Sequence, residues 1–298
     1  MRRLLTMAAV LMALTACQKV ELSEPSGGNG QSEQDSESVK TKKFTFTMKG
    51  DFSNEWKPVT RAYLSADGKD LTDVWVLDYD ADGNLLQQLH QADNTAEDFG
   101  KPVMQLAYGV HRIYFVASRG VNPVLSTDAH TLTFDNVRDT FWKRYDVTVV
   151  STSNGNRAVT LYRIVTKLRL TFTDEIPNNA ASIIITPHTW YYGFDYTTGL
   201  PTNAHTDKPS TIAIPSTSIG QTGIQASLFS FSTADEWTTD VAVSSQSATG
   251  TVLGSATIAS APFRANRVSD YAGPLFSSGG SMTLSLNSEW VDGYEDTW

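Results

Sequence analysis

The chain has 298 residues, and its 23 Lys and Arg face 32 Asp and Glu for a formal net charge of −9. That acidic balance argues against nucleic acid or an anionic lipid surface as a partner. A single cysteine excludes an intrachain disulfide and thiolate-built zinc or iron–sulfur sites, so stability must come from packed cores, for which 13 Phe, 11 Tyr and 7 Trp supply the apolar area.

Arg2 and Arg3 open the chain, and Leu4 to Leu14 is apolar apart from Thr6. A run of about eleven apolar residues is too short to span a bilayer permanently and has the length of a secretory signal. It closes on Leu14-Thr15-Ala16-Cys17, with small residues just ahead of the one cysteine. This arrangement resembles a bacterial lipobox. It implies that residues 1–16 are a lipoprotein signal peptide and that Cys17 is the lipidated (palmitate-bearing) N-terminus of the mature chain. Several acyl chains hold a protein to a membrane where one does not. Residues 17–40 are then a flexible linker, rich in Ser, Gly, Gln, Glu and Asp and too polar to bury a core. No later run is apolar enough for a transmembrane helix, so the lipid is the expected membrane attachment.

From Phe44 onward the pattern is that of strands. Phe44, Phe46 and Met48 alternate with Thr45 and Thr47. Val74 to Tyr79 predicts a second strand, turned by Asp80-Ala81-Asp82-Gly83 into Asn84 to Leu89 as a hairpin. His111 to Ala117 and Tyr145 to Val150 follow, with a helical turn expected around Phe141-Trp142. The Ser/Asn/Gly stretch Ser151 to Asn156 suggests a boundary between domains 41–155 and 156–298. The longest predicted strand is Val159 to Phe172, with Tyr162, Ile164, Leu168, Leu170 and Phe172 on a core face and Arg163, Lys167 and Arg169 on a wet one. Ser182 to Thr186, Thr211 to Ile214, Ile224 to Phe231, Asp240 to Ser244, Thr257 to Ala259 and Met282 to Leu286 complete the strands. Short strands with frequent turn signals predict an all-β chain of two β-sandwich domains in tandem.

Few motifs carry chemistry. Asp78-x-Asp80-x-Asp82-Gly83 matches the first half of an EF-hand loop, which makes Asp78, Asp80 and Asp82 calcium candidates. The twelfth position, where a bidentate Glu belongs, is Leu89, and the preceding segment reads as strand, so a hairpin turn is the favoured reading. The five histidines form no HExxH, and no GxSxG, P-loop or dinucleotide fingerprint is present. A non-enzyme without cofactors is expected. Trp190, Tyr191, Tyr192, Phe194 and Tyr196 cluster in sequence, either as a sugar-stacking surface or as sandwich filling.

These residues together resemble the fimbrillin-like subunits of type V pili from Bacteroidota, in particular the FimB-type anchor and accessory lipoproteins. The resemblance rests on the lipobox at Cys17, on Thr60-Arg61-Ala62 and on Leu71 to Tyr79 with Asp82-Gly83. It continues in Leu161-x-Arg163-x-Val165-x-Lys167-Leu168 and in Trp190-Tyr191-Tyr192-Gly193 with Gly199. Its most specific piece is Ala265-Asn266-Arg267-Val268 followed by Gly273-Pro274-Leu275-Phe276. It implies transthyretin-like, Greek-key sandwiches and assembly by strand exchange: a protease cuts after an arginine, the first strand leaves, and a neighbour's strand fills the groove. Carried over, Phe44 to Met48 is the first strand, and cleavage falls between Arg61 and Ala62. Such a cut would sever the body from a lipid on Cys17, so an anchor is expected to stay uncut and to donate a strand instead. Trp290, Tyr294 and Trp298 share one face of an extended C-terminal tail that could serve as that donor. The expectation is an outer-membrane, surface-exposed adhesion lipoprotein that joins fimbrial shaft subunits as an anchor. The alternatives are a surface glycan-binding lipoprotein and a tip or stalk pilin of the same family.

Overall fold

Alternating apolar and polar residues, broken every few positions by Gly, Asn, Asp and Pro, leave short strands as the only regular structure that buries one face. The computed structural model describes residues 39–51, 62–63, 71–277 and 282–287. Among them there is no α-helix, only strands and one 3-10 turn at Ser216–Ser218. The first half contains β1 (Thr41–Asp51), β2 (Ala62–Tyr63), β3 (Asp73–Tyr79), β4 (Leu85–Gln91), β5 (Val103–Ala107), β6 (Gly109–Ser118), β7 (Val124–Ser126), β8 (Thr131–Thr133), β9 (Thr140–Val149) and β10 (Asn156–Arg163). The second half continues with β11 (Val165–Phe172), β12 (Ala180–Pro187), β13 (Thr189–Asp195), β14 (Leu200–Thr206), β15 (Ser210–Ala213) and β16 (Ile224–Phe231). It ends with β17 (Trp237–Ser247), β18 (Val252–Phe263), β19 (Val268–Gly273) and β20 (Thr283–Asn287).

The strands form an all-β sandwich architecture. One sheet runs β2-β1-β10-β9-β6-β3-β4, with β5 on the free side of β1. Three four-stranded sheets follow: β16-β11-β19-β20, β15-β12-β17-β18 and β14-β13-β8-β7. The last of these mixes strands from both halves of the chain, and from Val39 onward the chain is one compact unit with two apolar cores. The first core gathers Phe44, Phe46, Met48, Val76, Phe115 and Leu161, among others. The second gathers Trp75, Leu168, Phe172, Trp190, Phe231 and Phe263. Strands β3 and β6 serve both, because alternate side chains leave opposite faces of a strand: Val76 and Phe115 go to one core, Trp75 and Val116 to the other.

Two expectations from the sequence are corrected. Phe141 and Trp142 lie in β9, not in a helical turn, paired with Ala117 and Val116 of β6. Val159 to Phe172 is two strands in different sheets. β10 runs parallel to β1, whereas β11 lies between β16 and β19. Ile164 belongs to neither and donates its N–H to the carbonyl of Thr140 at 3.1 Å. That break inverts the expected phase in β10 alone: Tyr162 is exposed and Arg163 buried, while Leu168, Leu170 and Phe172 of β11 are buried as expected and Lys167, expected on the wet face, is buried as well. A slip of one residue moves every side chain of a strand to the other face.

Arg163 can be buried because its charge is fully met. Its Nε donates to Asp139 Oδ1 at 2.6 Å, one terminal nitrogen to Asp139 Oδ2 at 2.8 Å, and the other to Asn266 Oδ1 at 2.9 Å. Asp139 precedes β9 and Asn266 sits in the turn before β19, so the guanidinium ties the passage between the cores to both sides. His111 is buried likewise. One ring nitrogen lies 2.8 Å from Asp78 Oδ1 and the other 2.9 Å from the Ala107 carbonyl.

Candidate functional site

β1, like β11, lies between a parallel and an antiparallel neighbour. From Thr45 to Asp51 it pairs in parallel with β10, and from Thr41 to Thr45 antiparallel with β5. Beyond β5, Phe46 and Met48 donate their N–H groups to the carbonyls of Pro102 and Gly100, each at 3.0 Å. Backbone groups on both edges of β1 are therefore met by segments far away in sequence. On its inner face Phe44, Phe46 and Met48 are 0, 0 and 1% exposed. Phe46 stacks on Phe44 at 5.9 Å and meets Phe115 edge-on at 5.0 Å and Tyr145 at 6.0 Å. Full burial of such side chains is worth about 1.5–3 kcal/mol each, so the three contribute on the order of 5–9 kcal/mol. That is comparable to the whole stability of an ordinary domain, about 5–15 kcal/mol. Taking β1 out without a substitute would leave an apolar groove with two open strand edges.

Gly155 shapes one rim of this groove. Its carbonyl accepts the Thr45 N–H at 2.7 Å, and a Cβ on it would lie 2.3 Å from the Lys43 carbonyl oxygen. Only glycine lets β1 approach this closely. At the far end of β1, Ala62 and Tyr63 of β2 pair with Gly50 and Lys49. The residue after the expected cleavage bond is thus held beside the strand that cleavage would release. Arg61 itself lies outside the described residues, as do Cys17, the signal and linker over 1–38, and Trp290, Tyr294 and Trp298. Of the chain near the last three, β20 is described, as an edge strand paired with β19.

The exit from β19 is fixed by Asp174. Its carboxylate accepts the N–H groups of Leu275, Phe276 and Ser277 at 2.6–3.1 Å and the Ser277 hydroxyl at 2.9 Å. Burial by itself pushes this carboxyl up, but the bonds from Leu275, Ser277 and Phe276 outweigh it, and its pKa falls below the ordinary aspartate value.

Asp78, Asp80 and Asp82 do not converge. Asp78 is fully buried against His111 and Gln87. Asp80 Oδ1 accepts the N–H groups of Asp82 and Asn84 at 2.9 and 2.8 Å, and Gly83 takes φ +88°, which makes the segment a hairpin turn between β3 and β4. Hydrogen bonds from Asn84, Asp82 and Gly83 hold the Asp80 carboxyl below its ordinary pKa, the Asn84 side chain most. Among the described residues no three His, Cys, Asp or Glu are grouped to hold a metal ion.

The aromatic run at 190–196 is inside the protein. Trp190, Tyr192, Phe194 and Tyr196 are buried, and Tyr191 is partly so. The Trp190 indole donates to the Phe229 carbonyl at 2.7 Å, and the Tyr79 and Tyr196 hydroxyls meet at 2.6 Å. Burial, then the bond to Tyr79, pushes the Tyr196 phenol far up. Trp190, Tyr192 and Phe194 alternate inward along β13 into the second core, whereas its hairpin partner β14 is exposed or half-buried, so the run presents no exposed stacking platform. The buried pairs Arg163–Asp139 and His111–Asp78 and the parallel contact of β1 with β10 are the features that sequence reasoning missed. Each joins residues far apart in the chain, and no local pattern announces them.

No family model matches the chain, and no curated protein matches it. Solved structures do. A candidate adhesin from Bacteroides ovatus aligns at 14% identity with a TM-score of 0.52, over 88% of this chain and 99% of its own. A candidate cell adhesion protein from the same species aligns at 10% identity and TM-score 0.51, over 85% and 99%. The fimbrial anchor protein Mfa2 from Porphyromonas gingivalis aligns at 7% identity and TM-score 0.46, over 82% and 95%. The first two show that the chain shares its β-sandwich fold with proteins described as adhesins.

Proposed function

We propose that this chain is a fimbrial subunit that acts in cell adhesion, held to the outer membrane by lipid on Cys17 and joined to shaft subunits by β-strand exchange. The observation that supports it is β1: an N-terminal strand whose apolar face and most of whose two edges are satisfied by distant segments, with only Lys49 and Gly50 paired to the nearby β2. Such a strand occupies a groove that another chain's strand could occupy by the same pairing and the same alternate pockets. The two sandwich domains 41–155 and 156–298 belong to this reading.

Within the reading, the anchor role requires that the bond between Arg61 and Ala62 stay intact. The body then keeps its lipid and its own β1, and the donor is the tail carrying Trp290, Tyr294 and Trp298. A tip or stalk pilin would instead lose β1. Deleting residues 291–298 tests the donor: the expected result is loss of co-purification with the shaft while the protein stays in the membrane fraction. Unchanged co-purification would overturn the donor role. Replacing Cys17 by Ala should release the body from the membrane, and its retention there would overturn the lipid anchor.

A further inference from the structure

The chain has two Asn–Gly pairs, Asn29–Gly30 in the linker and Asn154–Gly155 in the connection from β9 to β10. The first lies outside the described residues. The second sits on the rim of the β1 groove, just ahead of the first rung between β1 and β10, which joins Thr45 to Asn156. Asn154 is exposed, and neither it nor Gly155 belongs to a strand. The Asn154 Oδ1 accepts the Asn156 N–H at 3.0 Å. Among the described residues the Gly155 N–H has no hydrogen-bond partner.

An exposed asparagine before a glycine has a nucleophile built into its own backbone. The Gly155 nitrogen is placed to close a five-membered ring on the Asn154 side-chain carbonyl carbon, and glycine has no Cβ to obstruct the approach. It holds no hydrogen bond that would have to break first. The Asn156 N–H already donates to the oxygen on which negative charge develops during the attack, the role of an oxyanion donor.

We propose that Asn154 is a spontaneous deamidation site whose isoaspartate product loosens β1. The Gly155 nitrogen forms a bond to the Asn154 side-chain carbon, the bond from that carbon to Nδ2 breaks, and ammonia leaves with the proton that the Gly155 nitrogen gives up. Water then opens the succinimide at one of its two carbonyls, giving aspartate or isoaspartate, with no change of oxidation state. Isoaspartate carries one extra carbon in the main chain, about 1.5 Å of added path. That insertion falls immediately before Gly155, whose carbonyl accepts the Thr45 N–H at 2.7 Å and whose α-carbon packs so closely on the Lys43 carbonyl that a Cβ would lie 2.3 Å from it. The first rung of the parallel pairing cannot keep its place when the chain leading into it is lengthened. The modification needs no partner subunit, so its failure would leave the assembly reading untouched.

The test ages the full-length protein at mildly alkaline pH and maps the tryptic peptide 145–157 by mass spectrometry, with fragmentation to separate isoaspartate from aspartate. Asn154 should convert at least about tenfold faster than Asn156, which lies in β10 and precedes the bulkier Arg157. Amide hydrogen exchange over Phe44–Met48 should then be about tenfold faster or more in the aged protein than in the fresh one. Asn154→Gln, which would have to close a larger ring, should age without either change. Asn154→Asp, which adds the charge but no main-chain carbon, should exchange like the fresh parent. Absence of isoaspartate at 154, unchanged exchange in the aged protein, or equal loosening in aged Asn154→Gln or fresh Asn154→Asp would each overturn the proposal.

Discussion

A disulfide between β1 and β10 tests whether the first strand stays in its groove. Thr47 faces Ala158 in the parallel register, on the side of the sheet opposite to Phe46 and Val159. Neighbouring strands are about 4.8 Å apart, within the window of about 4.4–6.8 Å that a disulfide requires between α-carbons. Thr47→Cys with Ala158→Cys closes a loop of about 110 residues, worth about 4.8 kcal/mol in the chain-entropy picture, of which engineered bonds commonly deliver less. Urea unfolding with and without reductant should therefore differ by about 2–5 kcal/mol. An anchor that keeps β1 assembles equally well oxidised or reduced. If the bond fails to form under oxidising conditions, or adds less than about 1 kcal/mol, the placement of β1 on β10 is refuted. If it forms and assembly is lost until reductant is added, β1 has to leave and the anchor role falls.

Asp139→Ala strands the buried Arg163 guanidinium and should cost about 3–5 kcal/mol, whereas pairing Asp139→Leu with Arg163→Met should recover most of that; chemical denaturation of the single and double variants measures both. Gly155→Ala drives a Cβ into the Lys43 carbonyl and should cost about 1–3 kcal/mol; limited proteolysis of the folded variant should cut the β1 segment faster than in the parent. Asp174 has a depressed folded-state pKa, so its contribution is complete above the unfolded value near 3.8 and is lost as pH falls through the lower folded value. Asp174→Asn should accordingly flatten the fall in melting temperature below about pH 4, and an unaltered acid limb would refute the carboxylate's part in fixing the exit from β19.

Where period-two patterning and turn chemistry act locally, the fold was legible. Phe44, Phe46 and Met48 face the first core as their alternation requires. The Asp80–Gly83 turn joins β3 to β4, because Asp80 bonds its own backbone and Gly83 tolerates positive φ. Ile224–Phe231 is a strand over the span its apolar residues mark. The failures have a common physical cause in pairings between distant residues. Arg163 reads as a wet residue because nothing nearby in sequence reveals Asp139 and Asn266. Phe141-Trp142 reads as a turn because its adjacent aromatics break simple alternation, yet one ring is needed in each core. Trp190 to Tyr196 carries too few polar residues to show strand alternation, since β13 is covered on both sides. The groove itself was implied only through the resemblance to fimbrial subunits; its rims, Gly100–Ala107 and β10, lie about fifty residues or more from β1 along the chain.

The most direct test of the anchor reading is intact mass with N-terminal sequencing of the protein taken from native membranes. The account predicts an acylated Cys17 at the N-terminus and an unbroken Arg61–Ala62 bond, with β1 still part of the chain. An N-terminus at Ala62 would contradict it, making the protein a subunit whose first strand is surrendered during polymerisation.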